Sequence, residues 1–135
     1  MIEPIPLYQE WLNKVDEDEF AGTTILATGQ FPAPACFHFQ QMAEKSLKAL
    51  LLFHRQPLAK VHDLIVLATQ LKPIVDDIDA IRTDLEQLSQ YYVETRYPGD
   101  YPDFTVEECL AAQRAAANIK QYVLENISHD EKIEP

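Results

Sequence analysis

The chain has 135 residues, 47% of them hydrophobic, and 22 acidic side chains against 11 Lys and Arg, for a net charge of −11. That length fits one domain with a real core, and that apolar share excludes a disordered chain. The acidic excess excludes a general nucleic-acid coat, because phosphate binding needs concentrated Lys and Arg; it suits a partner with a basic surface.

The N-terminus, Met1-Ile2-Glu3-Pro4-Ile5-Pro6, has neither a basic start nor an apolar stretch, so no signal peptide is expected. The first predicted helix runs from about Leu7 to Thr28 and stops at Gly29. Trp11, Val15, Asp18, Gly22 and Ile25 share one face of it. Pro32 and Pro34 punctuate the link to a second helix, predicted from Ala35 to His54 and broken at Gln56-Pro57. A third helix starts near His62-Asp63 and ends before Pro73, with Leu64, Leu67, Ala68 and Leu71 on its apolar side.

A fourth helix begins near Asp76-Asp77, where negative charge suits a helix N-terminus. Its seam is Ile78, Ile81, Leu85, Leu88 and Tyr92. An aromatic, Pro-rich loop follows, Arg96-Tyr97-Pro98-Gly99-Asp100-Tyr101-Pro102. Tyr91, Tyr92 and Phe104 extend its aromatic character, and those rings either stack on a base beside Arg96 or pin the loop to the core. With Glu94, Asp100 and Asp103 so near, pinning is the favoured reading. The fifth helix opens on Thr105-Val106-Glu107-Glu108, the pattern of a capping box. It presents Cys109, Ala112, Ala116, Ile119 and Val123 to a core. Ala111, Ala115 and Ala117 add small surface for close helix approach, and the polar tail 128–135 is expected to fray.

The sequence therefore predicts an all-α fold: one domain over 1–135, an antiparallel up-down bundle of about five helices with its core over about 7–127. Cys36 and Cys109 read as small core residues and place the chain in the reducing cytoplasm. No apolar run approaches the roughly eighteen residues of a membrane span. Zinc spacing, a serine-nucleophile elbow and paired catalytic carboxylates are absent, and three glycines exclude a Gly-rich phosphate loop. Neither cofactor nor metal is expected. Five amphipathic helices in so short a chain leave apolar faces that a homodimer would cover.

The second helix carries the chemistry. His38, Gln41, Lys45 and Lys48 recur at spacings of three, four and three, within about 80° of arc on an otherwise apolar helix. Such a stripe is either hydrogen-bonded inside or offered to a ligand or partner. In the second case Lys45 and Lys48 would meet phosphate, and His38 and Gln41 would bond a base or a partner backbone. Asp18 faces the same question on the first helix. A carboxylate on an apolar face needs a cation, with Lys45 the best candidate, or else it contacts a ligand or metal. His62 caps or packs the third helix, or lines the same pocket.

The segments "ACFHFQQMAEKSLKALLL", "VHDLIVLATQL" and "YYVETRYPGDYP", with "WLNKVDEDEFAG" before them, resemble the prokaryotic HEPN domain from about Trp11 to the last helix. The resemblance supports an acidic residue at Asp18. It implies one of two functions. The first is a non-catalytic module that binds nucleotide or substrate, or assembles with a minimal nucleotidyltransferase encoded beside it. The second is an RNA-cleaving toxin of a toxin–antitoxin pair. HEPN ribonucleases pair an Arg with a His a short spacer downstream, the Arg holding phosphate charge and the His moving protons. Here Arg96 is followed by "YPGDYPDFTVEE", which contains no His. Arg55 and His62 have six residues between them, but they join helices two and three, the wrong place for the motif. The binding module is therefore the favoured reading, and no residue is assigned a catalytic role.

Overall fold

The computed structural model describes residues 6–58, 60–92 and 103–133, with side chains to Asp130. Helix α1 spans Leu7–Ala27 and ends as Thr28 and Gly29 return their N–H groups to Ile25 and Leu26, with Gly29 at φ 73°. Helix α2 is Pro32–Phe53, three residues longer at its start than the sequence suggested. Phe31 takes a left-handed φ of 55°, and Pro32 and Pro34 then sit in the first turn. N–H groups there have no intrahelical partner, so proline loses nothing.

Helix α3 is Leu64–Leu71, capped by Asp63, whose Oδ1 accepts from the N–H groups of Ile65 at 2.9 Å and Val66 at 3.3 Å. His62 is thus not the cap. The expected fourth helix is split into a 3-10 turn, Ile78–Ile81, and α4, Arg82–Ser89. The tighter winding moves the seam. Tyr91 N–H returns to Leu88 O at 3.0 Å, so Tyr91 enters the core and Tyr92 does not. Helix α5 runs Val106–Ile133. Its capping box is reciprocal: Glu108 N–H donates to Thr105 Oγ1 at 3.0 Å, and Thr105 N–H reaches Glu108 Oε1 at 3.4 Å. Residues 128–133 of the expected frayed tail continue this helix. Among the described residues there is no strand.

Helix α2 is the axis of the molecule. Phe39, Ala43, Leu47 and Leu50 are fully buried, and α1, α5, α3 and α4 all pack against it. Helices α1 and α2 are antiparallel: Tyr8 meets Phe53 edge to face at one end, and Gly22 meets Phe39 nearer the other. Helix α5 runs antiparallel to α1, tied by Lys120 to Glu19 at 2.7 Å and to Asp16 at 3.1 Å. It runs parallel to α2, with Cys36 against Cys109 near their starts and His54 beside Asp130 near their ends. The latter contact, 3.5 Å between His54 Nε2 and Asp130 Oδ2, is too long and misaligned to be a hydrogen bond. The segment between them, α3, the 3-10 turn and α4, carries the chain from the end of α2 back to its start, so α2 and α5 run the same way.

All five residues predicted for the inner face of α5 are buried, with Ala115 beside them, while Ala117 is exposed. Tyr91 and Phe104, which flank residues 93–102, are buried in a perpendicular ring contact at 4.9 Å. Tyr122 donates its hydroxyl to Asp77 at 2.6 Å, fastening α5 to the turn before α4. No helix among the described residues is long and apolar enough to cross a membrane.

Candidate functional site

The polar residues of α2 are sorted onto two carboxylates. Asp18, projecting from α1, is buried; its Oδ2 accepts from Lys45 Nζ at 2.6 Å and its Oδ1 from His38 Nδ1 at 2.9 Å. A carboxylate only accepts, so the His38 proton lies on Nδ1. Both charges are largely desolvated, and the second donor completes the cage that a buried carboxylate requires.

The second carboxylate, Glu44, is one that the sequence reading passes over. It is 3% exposed and lies one turn before Lys48, whose Nζ donates to its Oε2 at 2.9 Å. Lys48, 6% exposed, also lies 5.4 Å from the Trp11 ring centroid, a cation–π contact. His62 Nδ1 reaches Oε2 and Oε1 of Glu44 at 3.2 and 3.3 Å, and Gln41 Nε2 reaches Oε1 at 3.4 Å. Gln41 donates more closely, at 2.7 Å, to Gln40 Oε1. The buried Nε2 of Gln40 has no partner among the described residues. The sequence offers one signal for Glu44, the Glu-to-Lys pair one turn apart, and that pair reads equally well as a bridge on a solvated face.

The stripe therefore does not present two free ammonium groups. Lys48 is buried on Glu44 and Lys45 is bound to Asp18, so the expectation of a ready-made phosphate clamp needs correction. The reason is local: each lysine has a carboxylate within reach that would otherwise be buried unpaired. His62 is the exposed member of the group. Its ring stacks on Tyr92 at 4.9 Å with 16° between planes, and both line a cavity of about 440 Å³ with Asp63, Leu64, Ile65 and Ser89. Glu44 selects the imidazole tautomer: in the neutral ring Nδ1 carries the proton and Nε2 the lone pair. Arg96 and Tyr97 lie outside the described residues. Arg55, at φ 59°, ends α2, and His62 is engaged by Glu44 and Tyr92. Among the described residues no three His, Cys, Asp or Glu side chains converge as a metal site.

The profile of the HEPN domain matches residues 8–127. The chain belongs to the HEPN domain family. The HEPN fold seen here is similar to the crystal structure of TT1696 from Thermus thermophilus, at 30% identity and a TM-score of 0.79, over 90% of this chain and 98% of that one. It is also similar to ST0689, an archaeal HEPN homologue, at 23% identity and a TM-score of 0.73, over 89% of this chain and 97% of that one. No curated protein sequence matches this HEPN chain significantly.

Proposed function

We propose that this HEPN domain is a non-catalytic binding module that takes up a nucleotide and works beside a minimal nucleotidyltransferase, as a homodimer. The observation that carries the reading is the bracing of His62: its Nδ1 is fixed by a buried Glu44–Lys48 pair, and the ring is stacked on Tyr92 at the edge of a cavity. That braces a recognition surface between the start of α3 and the end of α4. The cleavage reading needs an Arg–His pair, and between Arg96 and His129 the chain has no His. A net charge of −11 opposes the approach of RNA and suits docking to a basic protein surface.

The test is to titrate the purified chain with ATP by calorimetry and to incubate it with RNA in parallel. Saturable ATP binding without RNA cleavage is the expected result. Cleavage abolished by Arg96→Ala would replace this reading with that of an RNA-cleaving toxin. Partnership is tested by co-purification with a nucleotidyltransferase encoded beside it.

A further inference from the structure

The cavity beside His62 has an unusual polar inventory. Among the described residues no cation lines it, and Lys45 and Lys48 are held on Asp18 and Glu44. Apart from the Tyr92 hydroxyl, the side-chain polar groups that line it among the described residues offer acceptors. Asp63 uses Oδ1 to cap α3, and its Oδ2 makes no hydrogen bond among the described residues. His62 donates from Nδ1 to Glu44, which in the neutral ring leaves the Nε2 lone pair. The Ser89 hydroxyl already gives its proton to Leu85 O at 2.7 Å. The remaining wall is apolar, with the parallel His62 and Tyr92 rings. At about 440 Å³ the space falls in the range of small-molecule sites, about 300–1,000 Å³.

A phosphate placed here would meet the Asp63 carboxylate with no cation among the described residues to offset it. A flat, uncharged ring with N–H donors on its edge fits instead: its face extends the stacked rings, and its donors satisfy Asp63 and His62. We infer that the His62–Asp63–Tyr92 cavity is a subsite for the base of a nucleotide, selective for bases that carry an exocyclic amine over uracil, with the phosphates directed away from it. This rests on the nucleotide-binding reading above and gives that reading a position and a preference. Uracil offers one N–H between two carbonyl oxygens, and those oxygens would face acceptors.

The experiment compares AMP, GMP and UMP, which share one phosphate and differ in the base, by calorimetric titration of the full chain. AMP and GMP should bind about tenfold or more tighter than UMP, and AMP should shift the His62 ring signals in the NMR spectrum. Asp63→Asn keeps the helix cap, since Asn caps as well as Asp, and replaces the unused acceptor with an amide donor. It should abolish or reverse the preference without loss of helix. Tyr92→Leu should weaken all three nucleotides. If the wild-type chain binds AMP and UMP equally, or if Asp63→Asn leaves the preference intact, the base subsite is wrong and nucleotide binding stands. If no nucleotide binds, both readings fall.

Discussion

Asp18 shows how one residue sets a helix pairing. It is a carboxylate on the face of α1 that packs on α2, and two α2 donors, Lys45 at 2.6 Å and His38 at 2.9 Å, hold it there. Asp18→Ala removes the anion and leaves Lys45 without its partner, so it should cost about 3 kcal/mol of stability, read as a lower urea midpoint at unchanged slope. An unchanged midpoint would mean the pair contributes nothing. Gly22, one helical turn further on, acts by absence. A Cβ there would sit 2.8 Å from Phe39 Cε1, and Phe39 is fully buried with no room to retreat. Gly22→Ala should therefore destabilise by about 1–3 kcal/mol despite Ala's better helix propensity. A neutral or stabilising result would show that α1 can move outward freely. Asp18 was legible in the sequence because its residue type contradicts the face it occupies. Glu44 was not, because it stands beside Lys45 and Lys48 in a stretch that reads equally well as a solvated, salt-bridged surface. Only the arrival of α3 and α4 over that face shows that Glu44 is buried.

At the scale of elements, α2 was the easiest to place and α4 the hardest, for one reason. Helix α2 is apolar around most of its twenty-two residues, and Ser46 to Leu51 are buried without a break, so its central place does not depend on any single period. The segment Ile78 to Tyr92 mixes a 3-10 turn, eight residues of α-helix and a closing turn, and a single period misplaces its end. Spacing selected Tyr92 for the core, whereas the closing turn selects Tyr91 and leaves Tyr92 to stack on His62. The residue that sequence periodicity misfiled is thus one that builds the candidate site. Within α2, Glu44 and Lys48 are 3% and 6% exposed, so each is costly without the other. Lys48→Met, which strands Glu44, should lose about 3 kcal/mol, while Glu44→Leu combined with Lys48→Met should recover most of it. The same pair of variants separates stability from recognition. The double variant restores the fold but removes the carboxylate that orients His62, so nucleotide affinity should stay low when the urea midpoint has recovered. Equal recovery of both would show that the bracing of His62 does not matter for binding.

For the whole molecule, what the bundle leaves outside and what it buries lead to separate predictions. Phe20 at 74% and Phe31 at 68% exposure are large apolar side chains that the single bundle leaves outside. The homodimer proposed above would account for them, and sedimentation of the full chain at micromolar concentration should give twice the mass of 15.5 kDa. A monomer there would remove the dimer from the proposal. The core makes a separate demand. Burial pushes the Cys36 thiol well above its ordinary value of 9.0, with Cys109 beside it adding to the effect, and burial raises Cys109 as well. Burial also lifts Tyr91 from 10.0 to about 12, and burial together with the hydrogen bond to Asp77 lifts Tyr122. Each of these groups keeps its proton longer in the folded chain than in the unfolded one. Above the unfolded value the unfolded state binds fewer protons, so stability falls as pH rises. Lys120 adds to the same slope. Burial opposes its charge, but Glu19 and Asp16 outweigh that and raise it above 10.5, so its contribution is complete below that value and is lost as pH rises through the raised one. The unfolding midpoint should therefore be insensitive to these groups near neutrality and decline once the pH passes about 9, where unfolded thiols ionise. Cys36→Ala combined with Cys109→Ala isolates the first part of the decline. It leaves the charge at neutral pH unchanged, and the repulsion that grows as lysines lose their protons is common to both proteins. The double variant should start lower, because two small core side chains are trimmed, yet hold its midpoint flat until the tyrosines begin to titrate near pH 10. Parallel curves for the two proteins between about pH 8 and 10 would show that the thiols are not held protonated by the fold.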